Sequence, residues 1–327
     1  MSKSINNPII SVVICTFNRA ELLKKAIESI IVQTLAKRDY EIIIVDNNSQ
    51  DGTLDLLKEI QSNILQPKIN FVTEVKQGLG FARNTGVKNS QGIYVAFMDD
   101  DAMADSRWLE SALHLFKNVK PTPLVLGGVI LPFYNTVKPA WFKDDYESRI
   151  LGEKPRLLIC PESFSGSNMI FRKEVIEKSG GFGVKVGMTG DYISVGEETS
   201  LFANIWSNYG DSIQMLYSPE LIVFHLVEQY KMTVAYQLKR SFAAGQSYYV
   251  INNPKTFQKK LRLILGLLKS IGRFVGLSLV GLISHHNSKN WAVEMIAPIV
   301  GNIGTLKSCF GIFISIKKNE RLNKSSI

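Results

Sequence analysis

A chain of 327 residues with 45% hydrophobic and 20% charged side chains has globular composition, which excludes a disordered or low-complexity protein. Its net charge of +9 is unevenly spread: residues 231–327 carry 15 Lys/Arg against two acids, a balance of +13, and the first 230 carry 23 against 27, a balance of −4. Three cysteines, Cys15, Cys160 and Cys309, stand far apart with no C-x-x-C pair, which argues against a disulfide framework or a thiolate metal site and for packing roles. The opening MSKSINNP lacks the charged, apolar and cleavable parts of a secretory signal, so synthesis into the cytosol is expected.

Short apolar, β-branched runs come first: PIISVVICT (8–16), YEIIIVD (40–46), INFVTE (69–74) and GIYVAFMD (92–99) read as buried strands. Between them RAELLKKAIESIIVQ (19–33) puts Leu22, Leu23, Ala26, Ile27, Ile30 and Ile31 on one face, and DGTLDLLKEIQSN (51–63) is also helical. Strand alternating with helix predicts an α/β fold with a mostly parallel open sheet flanked by helices. Beyond residue 105 the pattern loosens. PLVLGGVILPF (123–133) reads as strand, SFSGSNMIFRKEVIEKSGGF (163–182) as loop, strand and short helix, and GEETSLFANIWSNYG (196–210) as a helix ending at Gly210.

In such a sheet ligands bind outside the carboxyl ends of the parallel strands. There the sequence places TFNR (16–19) after the first strand, DNNSQDGT (46–53) after the second and the run Asp99, Asp100, Asp101 after the fourth. Clustered carboxylates repel one another unless something positive screens them. Asp99 and Asp101, two apart, project to one side of an extended chain and Asp100 to the other. Two carboxylates on one side suit Mg²⁺ or Mn²⁺ that is also held by substrate phosphates. A solvated turn is the plainer alternative; a phosphatase-like aspartyl nucleophile would sit after the first strand. GLGFAR (78–83) begins like a dinucleotide fingerprint, but lacks its third glycine and does not follow the first strand of a βαβ unit.

Taken in order, SVVICTFNR, EIIIVDNNSQDGT, GLGFARNTG, VAFMDDDAM, SGSNMIFRK and GEETSL resemble family 2 glycosyltransferases with the GT-A fold over roughly residues 8–230. The resemblance implies a single Rossmann-like catalytic domain over 1–230. It also implies transfer of a sugar from a nucleotide-diphosphate donor, with UDP the family expectation and GDP or dTDP left open, to an acceptor hydroxyl with inversion. Residue by residue it implies that Thr16 and Arg19 line the nucleotide pocket, that Asp46 hydrogen-bonds the base and that Arg83 lies near the nucleotide. Asp99 and Asp100 fall in the donor-binding D-x-D stretch, Asp101 matches its metal-binding aspartate, and His225 is a candidate third ligand; without the resemblance, a lone histidine in an apolar run reads as core. Glu198 aligns with the family's general base and Glu197 with the acid before it. Here Glu replaces the family's Asp at 198, which leaves the choice between the two open, and acids in a first helical turn also favour the macrodipole.

In the tail, a helix from Pro254 to about residue 283, capped by Asn253, places Lys255, Lys259, Arg262, Lys269 and Arg273 within roughly an 80° stripe beside aliphatic bulk. A second apolar run (291–316) is broken by Glu294, Pro298 and Lys307. Residues 231–327 are therefore expected to form a helical region held at an anionic membrane surface, in plane or re-entrant, with a hairpin of short spans or helices packed on the catalytic domain as alternatives. The stripe lacks the polar, aromatic-studded character of a nucleic-acid face. His285 and His286 receive no role. The composite expectation is a metal-dependent transferase on the cytoplasmic face of a membrane, peripheral or integral, building a glycan or glycolipid on a glycan or lipid-linked acceptor. Two rivals stay open, a sugar nucleotidyltransferase and a catalytically inactive GT-A membrane adaptor; CTFNRAE has none of the glycines of a triphosphate loop.

Overall fold

A computed structural model describes residues 7–184, 196–252, 257–284, 288–310 and 312–317. Lys255, His285 and His286 lie outside the described residues. Two compact units emerge, one from the chain through Phe133 with Asp144–Val184 and Glu197–Leu226, the other from Tyr134–Lys143 and the chain from Val227 on.

In the first unit, β1 (Ile10–Thr16), α1 (Ala20–Ile31), β2 (Tyr40–Asp46), α2 (Thr53–Asn63), β3 (Lys68–Thr73), α3 (Leu79–Asn89) and β4 (Tyr94–Asp99) form the expected parallel half of a sheet. β1, β2 and β4 are largely apolar because both of their faces are covered, whereas β3 is half-exposed. Ile10, Val12, Ile14, Ile42 and Ile44 pack into one core with Leu23, Ala26, Ile27 and Ile30 of α1; Val13, Ile43 and Val45 enter a second core with Ala82 and Val87 of α3. Full burial of a Leu or Ile contributes about 1.5–3 kcal/mol, so α1 is held by its inner stripe rather than by propensity.

β5 (Ala102–Ala104), α4 (Trp108–Asn118), β6 (Val125–Phe133), β7 (Arg156–Leu157), β8 (Met169–Arg172), α5 (Lys173–Lys178), α6 (Glu197–Tyr209) and β9 (Met215–Leu226) complete the unit. The expectation of a mostly parallel sheet needs correction here. The order is β3-β2-β1-β4-β8-β6-β9-β5, and β4–β8, β6–β8, β5–β9 and β7–β9 are antiparallel, so the sheet is mixed. It must also curl. β4 ends at Asp99 and β5 begins at Ala102, so that link spans at most about 11 Å, whereas four strand spacings in a flat sheet would need about 19 Å. The curl returns the end of β9 to the end of β4, where the Leu226 amide donates to the Asp101 carbonyl at 2.9 Å. Asn168 braces this half: it accepts from Trp108 Nε1 at 2.9 Å and donates to the carbonyls of Val129 and Leu221 at 2.8 and 2.9 Å.

The second unit contains α7 (Val234–Asn252), α8 (Phe257–Ser284) and α9 (Ser288–Cys309). α7 and α9 approach to backbone contact because Gly245 faces Gly301, whose carbonyl oxygen would lie 1.9 Å from any Cβ at 245. Ser241 Oγ donates to Ala297 O at 2.6 Å and Thr305 Oγ1 to Gly245 O at 2.9 Å. α8 meets α9 through Asn302 Nδ2 donating to Ser270 Oγ at 3.0 Å, and the rings of Phe274 and Trp291 lie 5.4 Å apart. Among the described residues no helix is long and apolar enough to cross a membrane. Cys15 and Cys309 are half-buried, but Cys160 is exposed, so the packing role expected of it does not hold.

Candidate active site

The parallel register sets Thr16 beside Asp46 and Cys15 beside Asp99, so three polar strand ends share one edge. Behind them the loops are tied together. Ser49 N donates to Asp46 Oδ1 at 3.0 Å, and the Asn18 and Ser49 turns exchange bonds through Asn18 N to Ser49 Oγ (2.9 Å) and Gln50 N to Asn18 Oδ1 (2.6 Å). Asn18 and Asn48 adopt positive φ, +54° and +65°, the left-handed turn conformation that Asn tolerates best after Gly. Asn47 donates to the carbonyls of Glu74 and Lys76 and accepts from Gly78 N, which fixes the entry to α3.

Asp100 and Asp101 stand in the turn between β4 and β5 rather than on an extended chain, yet the carboxylates still part. Asp100 turns inward, accepting from Thr16 Oγ1 at 2.7 Å and pairing with Arg19 Nη1 at 3.2 Å. Burial, offset by Arg19, pushes its carboxyl up to about 6. Asp99 and Asp101 face His225. Asp101 Oδ1 lies 3.1 Å and Asp99 Oδ2 3.8 Å from His225 Nε2, and the three residues offer one donor atom each within 4.8 Å of one another. Asp101 Oδ2 also pairs with Arg19 Nη1 at 2.9 Å. Two carboxylate oxygens and one imidazole nitrogen are a donor set that fits Mg²⁺ or Mn²⁺. His225 arrives through β9, in register with Ala102 of β5.

On the other side of Asp99, Arg83 reaches three carboxylates. Its Nη2 is 3.1 Å from Asp99 Oδ1, and its Nη1 is 3.1 Å from Glu197 Oε1 and 3.6 Å from Glu198 Oε2. Burial alone weakens the guanidinium's hold on its proton, but the three carboxylates outweigh that and hold it charged well above its ordinary range. One cation cannot neutralise three acids. Glu197, almost wholly buried, is therefore pushed up to about 8, first by burial and then by the charge of Glu198. Its Oε2 and that of Glu198 are both buried without a hydrogen-bond partner among the described residues. Glu198 is the more accessible of the two, its side chain 21% exposed against 4%. The result is a donor set that could hold a divalent cation and an acid pair, joined through one arginine.

All ten candidate site residues of the sequence thus lie in the first unit, with Thr16, Arg19, Arg83, Asp99, Asp100, Asp101, Glu197, Glu198 and His225 in a connected network and Asp46 at its rim. Sequence reasoning passed over Gly166 and Phe182. A Cβ at Gly166 would come within 2.2 Å of Arg83 Nη2, and the Arg83 guanidinium lies 5.4 Å from the Phe182 ring centroid. Neither carries a local signal; the glycine of SGSN is the nearest to one.

The glycosyl transferase family 2 model matches residues 11–180, more than half of the chain. A glucosyl-dolichyl phosphate glucuronosyltransferase of Haloferax volcanii is 26% identical over 253 residues, 74% of this chain and 77% of that protein. The mannosyltransferase PcManGT of Pyrobaculum calidifontis, solved with GDP-Man and Mn²⁺, superposes with a TM-score of 0.64 over 92% of this chain and 88% of that one at 16% identity. Staphylococcus aureus TarS, solved with UDP, gives 0.53 over 95% and 97% at 14% identity. These two likenesses speak for the GT-A fold alone. With the family model spanning the strand ends, the aspartate run and the loop before β8, the chain belongs to glycosyl transferase family 2.

Proposed function

We propose that this glycosyltransferase moves a sugar from a nucleoside-diphosphate donor, UDP-linked in the first instance, to a hydroxyl of a lipid-linked or glycan acceptor, with inversion at the anomeric carbon. The observation that carries the reading is the placement of Asp99, Asp101 and His225 within one cation's reach, with Glu197 and Glu198 across Arg83. Asp99, Asp101 and His225 would hold Mg²⁺ or Mn²⁺, which when bound supplies neutralisation of the departing diphosphate. Asp46 and Thr16 receive the nucleoside, and Arg19 meets the diphosphate. Glu198 takes the acceptor proton as that oxygen attacks the anomeric carbon from the face opposite the leaving group; Glu197 stays protonated beside it. Neither rival has such support: the nucleotidyltransferase lacks its glycine loop, and an inactive adaptor has no use for an intact acid pair. The test is nucleoside-diphosphate release from a panel of UDP-, GDP- and dTDP-sugars with Mn²⁺ and a dolichyl-phosphate-linked sugar acceptor. Metal-dependent release from one nucleotide class supports the reading, and release from none of them refutes it.

A lipid-linked acceptor is presented at a bilayer, and the Haloferax relative is named for one. α8 offers a surface suited to that location. Its half-buried residues Leu263, Gly266, Leu267, Ser270 and Phe274 form one stripe, the side that meets α9. At about 100° per residue the exposed Leu261, Ile264, Leu265, Leu268, Ile271 and Val275 fill an arc of roughly 120° beside it, and Arg262, Lys269 and Arg273 line the far edge of that arc. An apolar arc edged by cations fits the headgroup boundary of an anionic bilayer, and the same cations would repel a second copy. The chain is expected to sediment with phosphatidylserine vesicles at low salt and not with phosphatidylcholine alone. Reversing Arg262, Lys269 and Arg273 to Glu should weaken that binding about tenfold or more. Self-association without vesicle binding would remove the membrane from the account.

A further inference from the structure

Arg83 is the least accessible cation of the candidate site, its side chain only 3% exposed, against 25% for Arg19. Burying a guanidinium is costly unless its donors are satisfied in fixed directions. Here both terminal nitrogens and the flat face have partners. Nη2 meets Asp99, Nη1 meets Glu197 and Glu198, the flat face lies on Phe182, and the Gly166 backbone closes on Nη2 where no side chain fits. Phe182 is itself pinned by the residue next to Arg83: Asn84 Nδ2 donates to Phe182 O at 3.0 Å and Asn84 Oδ1 accepts from Phe182 N at 2.8 Å. The Phe182 ring also packs edge-on against Phe97 of β4, at 5.0 Å.

From this cage we infer that Arg83 is a positioning residue: it ties the end of β4 to the first turn of α6, so that one guanidinium sets the separation between the cation-binding carboxylates and the acid pair, and it does not contact the donor. Asp99 shows how this acts. With Oδ1 held by Arg83, Oδ2 is the oxygen turned toward His225 and Asp101. Freed from Arg83, the Asp99 carboxylate rotates and the Asp99–Asp101–His225 donor set loses its preset geometry. The inference rests on the function proposed above, since it takes those three residues as the cation's ligands.

The test uses the full chain, Mn²⁺ monitored by the electron paramagnetic resonance of the free ion, and UDP and GDP as nucleotide probes. Arg83→Ala is expected to weaken Mn²⁺ binding about 10–100-fold, the usual cost of losing a partner that orients a metal ligand. Metal-free affinity for whichever nucleotide the wild type binds should not change. Guanidinium ion at a few millimolar should restore Mn²⁺ affinity in Arg83→Ala and leave the wild type unaffected, a response that a merely structural role does not give. Gly166→Ala should reproduce the Mn²⁺ defect with the arginine still present. Should Arg83→Ala not fold, Arg83→Lys, which keeps the charge but cannot bridge, serves in the same comparison. Loss of metal-free nucleotide binding in the variant would make Arg83 a donor contact, overturning the inference while leaving the proposed function intact. Unchanged Mn²⁺ affinity in the folded variant also overturns it. A wild type that binds neither Mn²⁺ nor nucleotide fails both.

Discussion

Asp101→Ala is expected to weaken the Mn²⁺-dependent binding of a nucleoside diphosphate about a hundredfold or more, since it removes a ligand itself rather than a group that orients one. The site makes this a selective lesion. Asp101 is the one aspartate of the run whose two oxygens are split between His225, at 3.1 Å, and Arg19, at 2.9 Å. Deleting it leaves Arg19 still paired with Asp100 at 3.2 Å, so the loop after β1 keeps its anchor and the fold should survive. Calorimetry with and without Mn²⁺ reads the effect: the metal-dependent part of the affinity should vanish and the metal-independent part remain. Equal affinity in variant and wild type would take Asp101 out of the cation site.

The second large effect belongs to the acid pair. Glu198→Gln should lower turnover about a thousandfold, within the range for removing a general base, with donor affinity unchanged. Glu197→Gln should cost far less, because a carboxyl pushed up to about 8 is already neutral near pH 7 and Gln imitates that form. The sign of the linked stability effect follows. The native state keeps a proton that the unfolded chain releases above the ordinary value of 4.5, so this group's contribution to stability declines as pH rises from 4.5 toward 8 and is level beyond. Glu197→Gln abolishes that decline, and its melting temperature should gain on the wild type's across the same window. If Glu197→Gln is the variant that loses turnover, the roles of the two acids are exchanged.

Much of this was legible in the sequence because it depends on neighbours along the chain. The runs ending at Thr16, Asp46 and Asp99 declare buried parallel strands by their short, mostly apolar stretches, and the same pattern places their polar ends on one edge. The stripe of α1 and the acids opening α6 are equally local. What escaped depends on closure of the sheet. β5 has three residues, too few to show a period, yet its pairing with β9 is what brings His225, a ligand candidate in the sequence only through the family resemblance, to the aspartates. The antiparallel entry of β8 beside β4 has no sequence mark either, which is why a mostly parallel sheet was expected. Arg83 and Glu197 stand 114 residues apart, and only the assembled fold joins them. α7 was missed for another reason: its contact with α9 runs through small residues such as Gly245, so its apolar pattern is weak.

A calorimetric titration of the wild-type chain with UDP, GDP, dTDP and CDP, each with and without Mn²⁺, tests the donor site itself. One nucleotide is expected to bind tightly, and only weakly once Mn²⁺ is withheld. Binding by none of the four, or binding indifferent to the metal, would contradict this and leave Asp99, Asp101 and His225 without the donor site proposed for them.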